Sequence, residues 1–203
     1  MLRPCLLVCP LATSIPNMNC DYIGVDAGAY LLAKNKIMME RSIGDFDSCD
    51  KDYLELIKKY SIKCIQLNPI KDESDLEEAI RLAKSLDYQN IFITGALGKR
   101  MDHTFCNLRI LENEKEAKII FIDPKNRMEV LKRGTYYFDH QIYKYFSIFA
   151  LEDSVISLEG FKYPLENRLI TTSDIYTLSN EIVIDKAKLT IHQGKVIVIQ
   201  AND

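Results

Sequence analysis

Four short strings in this chain hold residue types able to handle phosphate and a divalent cation. Gly44-Asp45-Phe46-Asp47-Ser48 sets two carboxylates either side of one residue, straight after a short apolar run. Two aspartates so spaced can share a hard cation such as Mg²⁺, which takes oxygen ligands and completes its shell with phosphate oxygens. Asp47 or Asp50 could equally cap the helix that follows, and both roles can hold at once. Lys71-Asp72-Glu73-Ser74-Asp75 reads as an acidic helix start. Its acids suit the helix dipole, but Lys71 does not unless it meets an anion such as phosphate. Gly95 to His103 is a glycine turn carrying Lys99, Arg100 and Asp102. Glycines let backbone N–H groups approach an anion closely, and arginine grips phosphate with two parallel hydrogen bonds. His103, at a helix start, reads as a capping or packing residue. Asp26-Ala27-Gly28 is either a helix cap or a ribose or phosphate contact.

The turn at Gly95 is not a Walker loop, because no Gly-Lys-Ser/Thr follows, and it lacks the dinucleotide fingerprint. What joins the four strings is their placement. Each follows a different predicted strand: Tyr22–Val25, Ser42–Ile43, Ile62–Leu67 and Ile91–Thr94. Further strands are expected at Cys5–Val8 and Lys118–Ile122, with helices at Tyr30–Lys36, Lys51–Tyr60, Asp75–Leu86 and Thr104–Glu114. Leu76, Ala79, Ile80 and Ala83 make one apolar helix face, and Ser74 with Glu77 makes a capping box before it. Strands alternating with helices imply a mostly parallel, doubly wound sheet, whose strand ends all open on one rim. Acids, bases and glycines gathered there make a metal–phosphate site. The segment between Val8 and Tyr22 carries Pro10 and Pro16 and shows no helical pattern.

Past Asp123 the pattern changes to short runs rich in Val, Ile, Tyr and Phe, punctuated by Gly134, Gly160 and Gly194. Strands are predicted at Thr135–Phe138, Tyr145–Ala150, Val155–Leu158, Ile182–Ile184, Leu189–His192 and Lys195–Ile199, the last two joined by a hairpin turn at Gln193-Gly194. The expected architecture is therefore an α/β domain over residues 1–125 and an all-β sandwich over 126–203.

Composition excludes several classes. The 203 residues are 47% hydrophobic and 27% charged, with a net charge of −3, so no basic nucleic-acid footprint exists. No apolar run approaches the about 20 residues of a membrane helix. The apolar N-terminus, bracketed by Pro4 and Pro10, reads as a buried first strand and not as a signal peptide. Six cysteines without a CxxC pair, and only three histidines, argue against a disulfide scaffold or a zinc site. They fit reduced thiols in a cytoplasmic protein.

DAG, GDFDS, KDESD and GALGKRMDH, in that order, resemble the thiamine pyrophosphokinase family. Ser74 stands for the family's usual Thr, Lys99 for a usual second Gly, and Asn107 where an Asn is expected. Gly160-Phe161-Lys162-Tyr163-Pro164-Leu165 and Leu178-Ser179-Asn180-Glu181 resemble strings of the family's second domain, so the likeness covers nearly the whole chain. Cys9 to Pro16 departs from it, since family members often have a Gly there. The resemblance implies transfer of a pyrophosphoryl group from ATP to thiamine, giving AMP, with Mg²⁺ and a homodimer whose sites are shared between subunits. It also implies that Asp45, Asp47 and Asp75 hold Mg²⁺, and that Lys71, Arg100 and Lys99 balance phosphate charge. Asp102 would orient Arg100 or the nucleotide; Asp26, Gly28, Ser48, His103 and Asn107 would line the nucleotide site. Ser179 and Asn180 would hydrogen-bond thiamine. Two other readings exist: a nucleotide sensor without catalysis, whose β domain binds proteins, and a DxD phosphatase. The phosphatase would need a nucleophilic Asp after the first strand, and none is there.

Overall fold

The computed structural model describes residues 3–47, 49–68, 70, 72–140 and 143–203. The chain divides into two compact units, Met1–Pro124 and Lys125–Asp203.

The first unit runs β1 (Cys5–Val8), β2 (Asp21–Val25), α1 (Ala27–Lys34), β3 (Met39–Gly44), α2 (Lys51–Lys59), β4 (Ser61–Gln66), α3 (Asp75–Ser85), β5 (Asn90–Thr94), α4 (Met101–Asn113) and β6 (Lys118–Ile122). Its strands lie in the order β6-β5-β1-β2-β3-β4, every neighbour parallel. All four residues of β1 are buried, as a central strand covered on both faces requires. The chain winds outward from β1 to β4, then returns through α3 to the other side of β1. The topological switch point thus lies between β1 and β5, where open α/β sheets bind ligands.

Local chemistry sets the helix starts. Ser74 accepts from the Glu77 N–H while the Glu77 side chain accepts from the Ser74 N–H, the reciprocal pair expected from the sequence. Asp50 caps α2 by accepting from the Tyr53 N–H at 2.9 Å. Leu76, Ala79, Ile80 and Ala83 are the buried face of α3. Helix α1 begins earlier than its pattern suggests, at Ala27, and α4 at Met101. The segment after β1 forms no helix. It is stitched instead to the end of β5, Cys9 N–H donating to Thr94 O and Leu11 N–H to Gly95 O.

The second unit holds β7 (Asn126–Asp139), β8 (Tyr145–Ala150), β9 (Ser154–Glu159), β10 (Leu165–Ile170) and β11 (Lys186–Ala201). The long strand β11 pairs antiparallel with β7 along its length, but the neighbour on its other edge changes: β9 flanks Lys188–Gln193 and β8 flanks Val196–Ala201. One strand thereby serves two layers, which close on a core of Phe146, Ile148, Ile156, Leu158, Leu189, Ile191, Val196 and Val198.

Two expectations for this unit are corrected. Gln193-Gly194 is not a hairpin turn but a bulge within the continuous β11, since Thr190 and Lys195 pair with the same strand β7 in the same direction. Gly194 is required there by its φ of +91° and by a close approach: a Cβ would lie 2.2 Å from Ser154 Oγ. Ile182–Ile184 is not a strand; Ile182 makes a single bridge to Phe161, and Val183 and Ile184 are exposed. The edge strand β10 went unpredicted. No helix among the described residues is long and apolar enough to cross a membrane.

Candidate active site

A cleft of about 740 Å³ opens at the switch point of the first unit. Its wall takes residues from the turn after every strand from β1 to β5: Cys9 to Leu11, Asp26, Asp45, Asp72 to Asp75, and the stretch from Gly95 to Asn107. Of the predicted site residues, Asp26, Asp45, Asp75, Lys99, Arg100, His103 and Asn107 meet here. Gly28, Asp47 and Asp102 lie off this wall, and Ser48 and Lys71 fall outside the described residues.

Each turn has a physical reason for its shape. Phe46 stands at φ +56° with its ring buried in the core, an unfavourable backbone for a bulky residue that tight surroundings must hold. This kink breaks the strand alternation, and the Asp45 carboxylate accepts from the Asp47 N–H at 3.1 Å. Asp47 itself is exposed. Gly44 is where the Asp26 side chain crosses: a Cβ there would meet Asp26 Oδ1 at 1.8 Å. The two acidic turns are therefore packed together by a missing side chain. Gly28 plays a similar part, since a Cβ would run into the Val8 carbonyl oxygen at 1.9 Å. It brings α1 against the end of β1 and is not part of the wall of this cleft.

Side chains already engaged in the fold narrow the assignments. Asn107 donates from Nδ2 to Ala96 O at 2.6 Å, which ties α4 to the glycine turn before it. Arg100 and Asp102 form a two-pronged pair, at 2.6 Å from Nη2 to Oδ2 and 3.2 Å from Nε to Oδ1. That hydrogen bond, with a second from the His103 N–H, lowers the Asp102 carboxyl to about 2. Because this folded-state value is depressed, the pair is lost only as pH falls through that range, and it persists at every physiological pH. In the loop after β1, the N–H groups of Cys9, Leu11 and Ala12 are all spent on backbone carbonyls and Pro10 has none. That stretch offers no N–H to an anion. Burial, followed by the charges of Asp26 and Asp75, pushes the Cys9 thiol up, so it is not a thiolate nucleophile.

Among the described residues no group of three or more His, Cys, Asp or Glu side chains stands at metal-holding distance. Asp45 and Asp75 share the cleft, whereas Asp47 is not gathered with them.

In the second unit Ser179 is exposed, with φ +56°, and its N–H donates to Ser147 Oγ. Asn180 is buried, and its side chain is a clamp. Oδ1 accepts from the Tyr163 and Glu181 N–H groups at 3.0 and 2.9 Å, and Nδ2 donates to Tyr163 O at 2.8 Å. Its backbone also pairs both ways with Phe146. Sequence reasoning took Asn180 for a ligand contact and missed this structural use, which its polar type alone does not reveal. Asn180→Ala is expected to destabilise the protein by about 2 kcal/mol or more, because buried backbone groups lose their partners. Thermal melting checks this; an unchanged midpoint would remove the clamp.

Comparison with known proteins adds an independent finding. The family model described as thiamin pyrophosphokinase, catalytic domain, matches residues 17–122, and that described as thiamin pyrophosphokinase, vitamin B1 binding domain, matches 135–196. The thiamine pyrophosphokinase of Bacillus subtilis (strain 168) is 30% identical over 187 residues, covering 90% of this chain and 87% of that protein. A crystal structure of thiamine pyrophosphokinase from Bacillus subtilis superposes with a TM-score of 0.87 at 27% identity, over 98% of this chain and 99% of that one. Thiamin pyrophosphokinase from Geobacillus thermodenitrificans gives 0.83 at 28%, over 100% and 98%. Fold and cleft together define a doubly wound α/β protein with an acid-lined site at its switch point, followed by an all-β unit. The chain belongs to the thiamine pyrophosphokinase family.

Proposed function

We infer that this chain is an ATP-dependent diphosphotransferase that moves the pyrophosphoryl group of ATP onto the hydroxyl of thiamine, giving thiamine diphosphate and AMP. The observation that carries this reading is the agreement of both units with the family's two parts, together with a switch-point cleft walled by Asp26, Asp45, Asp75, Lys99 and Arg100. A sensor without catalysis has no observation in its favour.

In the reaction the thiamine oxygen bonds to the β-phosphorus, the bond from that phosphorus to the α–β bridging oxygen breaks, and AMP leaves with the electron pair. The hydroxyl proton passes to solvent or a carboxylate. Such a transfer depends on positioning and charge neutralisation more than on a covalent intermediate. The donor set fits Mg²⁺, because Asp45 and Asp75 are hard oxygen donors on one cleft and the ion commonly uses one or two carboxylates beside phosphate oxygens. Bound there, the ion would neutralise phosphate charge and polarise the β-phosphoryl group. Asp47, next to Asp45, is proposed as a further ligand from the family resemblance, as are Lys71 and Ser48 for phosphate contacts. Arg100, aimed by Asp102, would grip the phosphate chain, with Asp26 and His103 beside the nucleotide. Gly28 and Asn107 shape the turns. Ser179 would contact thiamine from a loop that Asn180 holds in place. The enzyme is proposed to act as a homodimer, and in the cytoplasm, where its six free cysteines stay reduced.

The identity of the spent nucleotide tests the reaction. AMP should accumulate one for one with thiamine diphosphate in chromatography of a stopped reaction. Stoichiometric ADP would mean attack at the γ-phosphorus and would overturn the assignment.

A further inference from the structure

We propose that Phe46 is a positioning residue for the reaction: its buried ring locks the backbone between Asp45 and Asp47 into a left-handed turn, and that turn fixes the Asp45 carboxylate on the cleft wall. The inference rests on the diphosphotransferase reading of the cleft and gives a role to a side chain that is not on its wall.

Two opposed features meet at Phe46. Its backbone has φ +56°. A bulky residue there is a true outlier, and such strain persists only where the surroundings force it. Lys36 and Asp87 share the left-handed region, but they follow the ends of α1 and α3, where helices ordinarily terminate that way. Asn167 shares it at the irregularity between β9 and β10. Phe46 stands at no helix end and in no strand, between β3 and α2. The opposing feature is burial. Only 5% of Phe46 is exposed, and it belongs to the apolar cluster of Leu6, Val8, Ala29, Leu32 and Ile57, drawn from β1, α1 and α2. Its carbonyl also accepts from the Cys49 N–H at 3.0 Å, so the chain is tied on both sides of the ring.

The product of this turn is a fixed carboxylate. The Asp47 N–H comes back to Asp45 Oδ1 at 3.1 Å, an aspartate bonded to the backbone two residues on. Gln66, at the end of β4, donates from Nε2 to the Asp45 carbonyl at 3.3 Å. Asp45 is thus held at its side chain and at its peptide, on the wall that also carries Asp75. A residue that served the core alone would not need a strained backbone, because an apolar ring can be buried from a relaxed one. Here burial of the ring offsets the strain, and the turn sets where Asp45 points. Displacing such a group by about 1 Å is enough to lower a rate on the order of a hundredfold.

The test compares wild type with Phe46→Leu, Phe46→Val and Phe46→Ala. Leucine keeps a deep apolar anchor. Valine is shorter and, being β-branched, resists left-handed backbone; alanine has no anchor. Three readings are taken well below each melting midpoint: exchange of the Asp47 amide in the ligand-free protein by NMR, the Mg²⁺ dependence of binding of a non-hydrolysable ATP analogue by calorimetry, and steady-state rates with ATP and thiamine. Phe46→Ala should melt about 10 °C below wild type, as loss of a buried ring implies, but a purely structural residue would do the same. Positioning predicts more. In Phe46→Val and Phe46→Ala the Asp47 amide should exchange about tenfold faster. Both should need about tenfold more Mg²⁺ for the same analogue affinity, and kcat should fall on the order of a hundredfold with KM for thiamine close to wild type. Phe46→Leu should stay within about threefold of wild type in every reading. Folded Phe46→Val and Phe46→Ala with the Mg²⁺ requirement and kcat of wild type would overturn the proposal and leave Phe46 a core residue. Should Phe46→Ala fail to fold, Phe46→Val alone decides in the same way. Wild type that binds the analogue with Mg²⁺ but forms no thiamine diphosphate would instead overturn the diphosphotransferase reading, and the exchange and Mg²⁺ readings would still judge Phe46.

Discussion

Asp45→Asn and Asp75→Asn should each lower turnover on the order of a thousandfold while leaving the melting curve close to wild type. The size follows from the chemistry: each change removes a carboxylate proposed to hold the cation that would neutralise phosphate charge in the transition state, and stabilisation of that kind is worth several kcal/mol. The intact fold follows from position. Asp45 directly follows β3 and Asp75 opens α3, both on the cleft wall and outside the apolar core. Asn is nearly isosteric and keeps an oxygen, so Asp45→Asn can still accept from the Asp47 N–H. If the carboxylates hold Mg²⁺, both variants should also need more of it for half-maximal rate. Asp47→Asn separates two versions of the site. A loss as deep as that of Asp45→Asn would mean that the exposed Asp47 joins the ligands once nucleotide is bound. A mild loss would leave Asp45 and Asp75 as the working pair. Near-normal turnover of Asp45→Asn and Asp75→Asn at limiting Mg²⁺ would sink the metal assignment.

The same turns show why the first unit is legible in its sequence and the second less so. Strand–helix alternation is local information: the apolar face of α3 and its Ser74–Glu77 box are fixed by residues within two helical turns of each other. Once the sheet is parallel, every strand end opens on one rim, so chemistry scattered between Asp26 and Asn107 could be collected before any distance was known. What stayed hidden depends on partners far along the chain. Asn180 reads as a polar contact until Tyr163, 17 residues away, is seen to occupy it. Asp26-Ala27-Gly28 reads as a helix cap or a ribose or phosphate contact, and only the fold shows that the bare Gly28 also admits the Val8 carbonyl and the bare Gly44 the Asp26 side chain. In the β unit, Gly194 gives one signal for two structures, a turn or a bulge, and only the pairing of β11 with β7 on both sides decides. Strand β10 is mostly exposed, as an edge strand can be, so Glu166, Asn167 and Arg168 erase the alternation that would mark it.

Two inactive variants should restore each other if the active site is assembled from two copies of the chain. The residues proposed to handle phosphate all lie in the first unit, between Asp26 and Asn107, while Ser179, proposed to contact thiamine, belongs to the second. A two-fold dimer repeats every contact symmetrically, so it can join the first unit of one subunit to the second unit of its partner twice over. Asp45→Asn disables the first unit. For the second, Ser179→Tyr is the better choice than any change at Asn180, because Ser179 is exposed and the Asn180 clamp then stays whole. Unfolded together in equal amounts and refolded, the two variants would form heterodimers in about half of the dimers. In each, one site would carry both defects and the other neither. Activity should therefore return to about a quarter of wild type, from components that are each nearly inactive. Differently tagged chains, purified in tandem, would show the heterodimer directly and should carry about half the wild-type activity per dimer. Heterodimers that form and stay inactive would mean that each chain builds its own site. A mixture that never forms heterodimers, with sedimentation showing monomers that turn over thiamine at the full rate, would remove the dimer from the mechanism altogether.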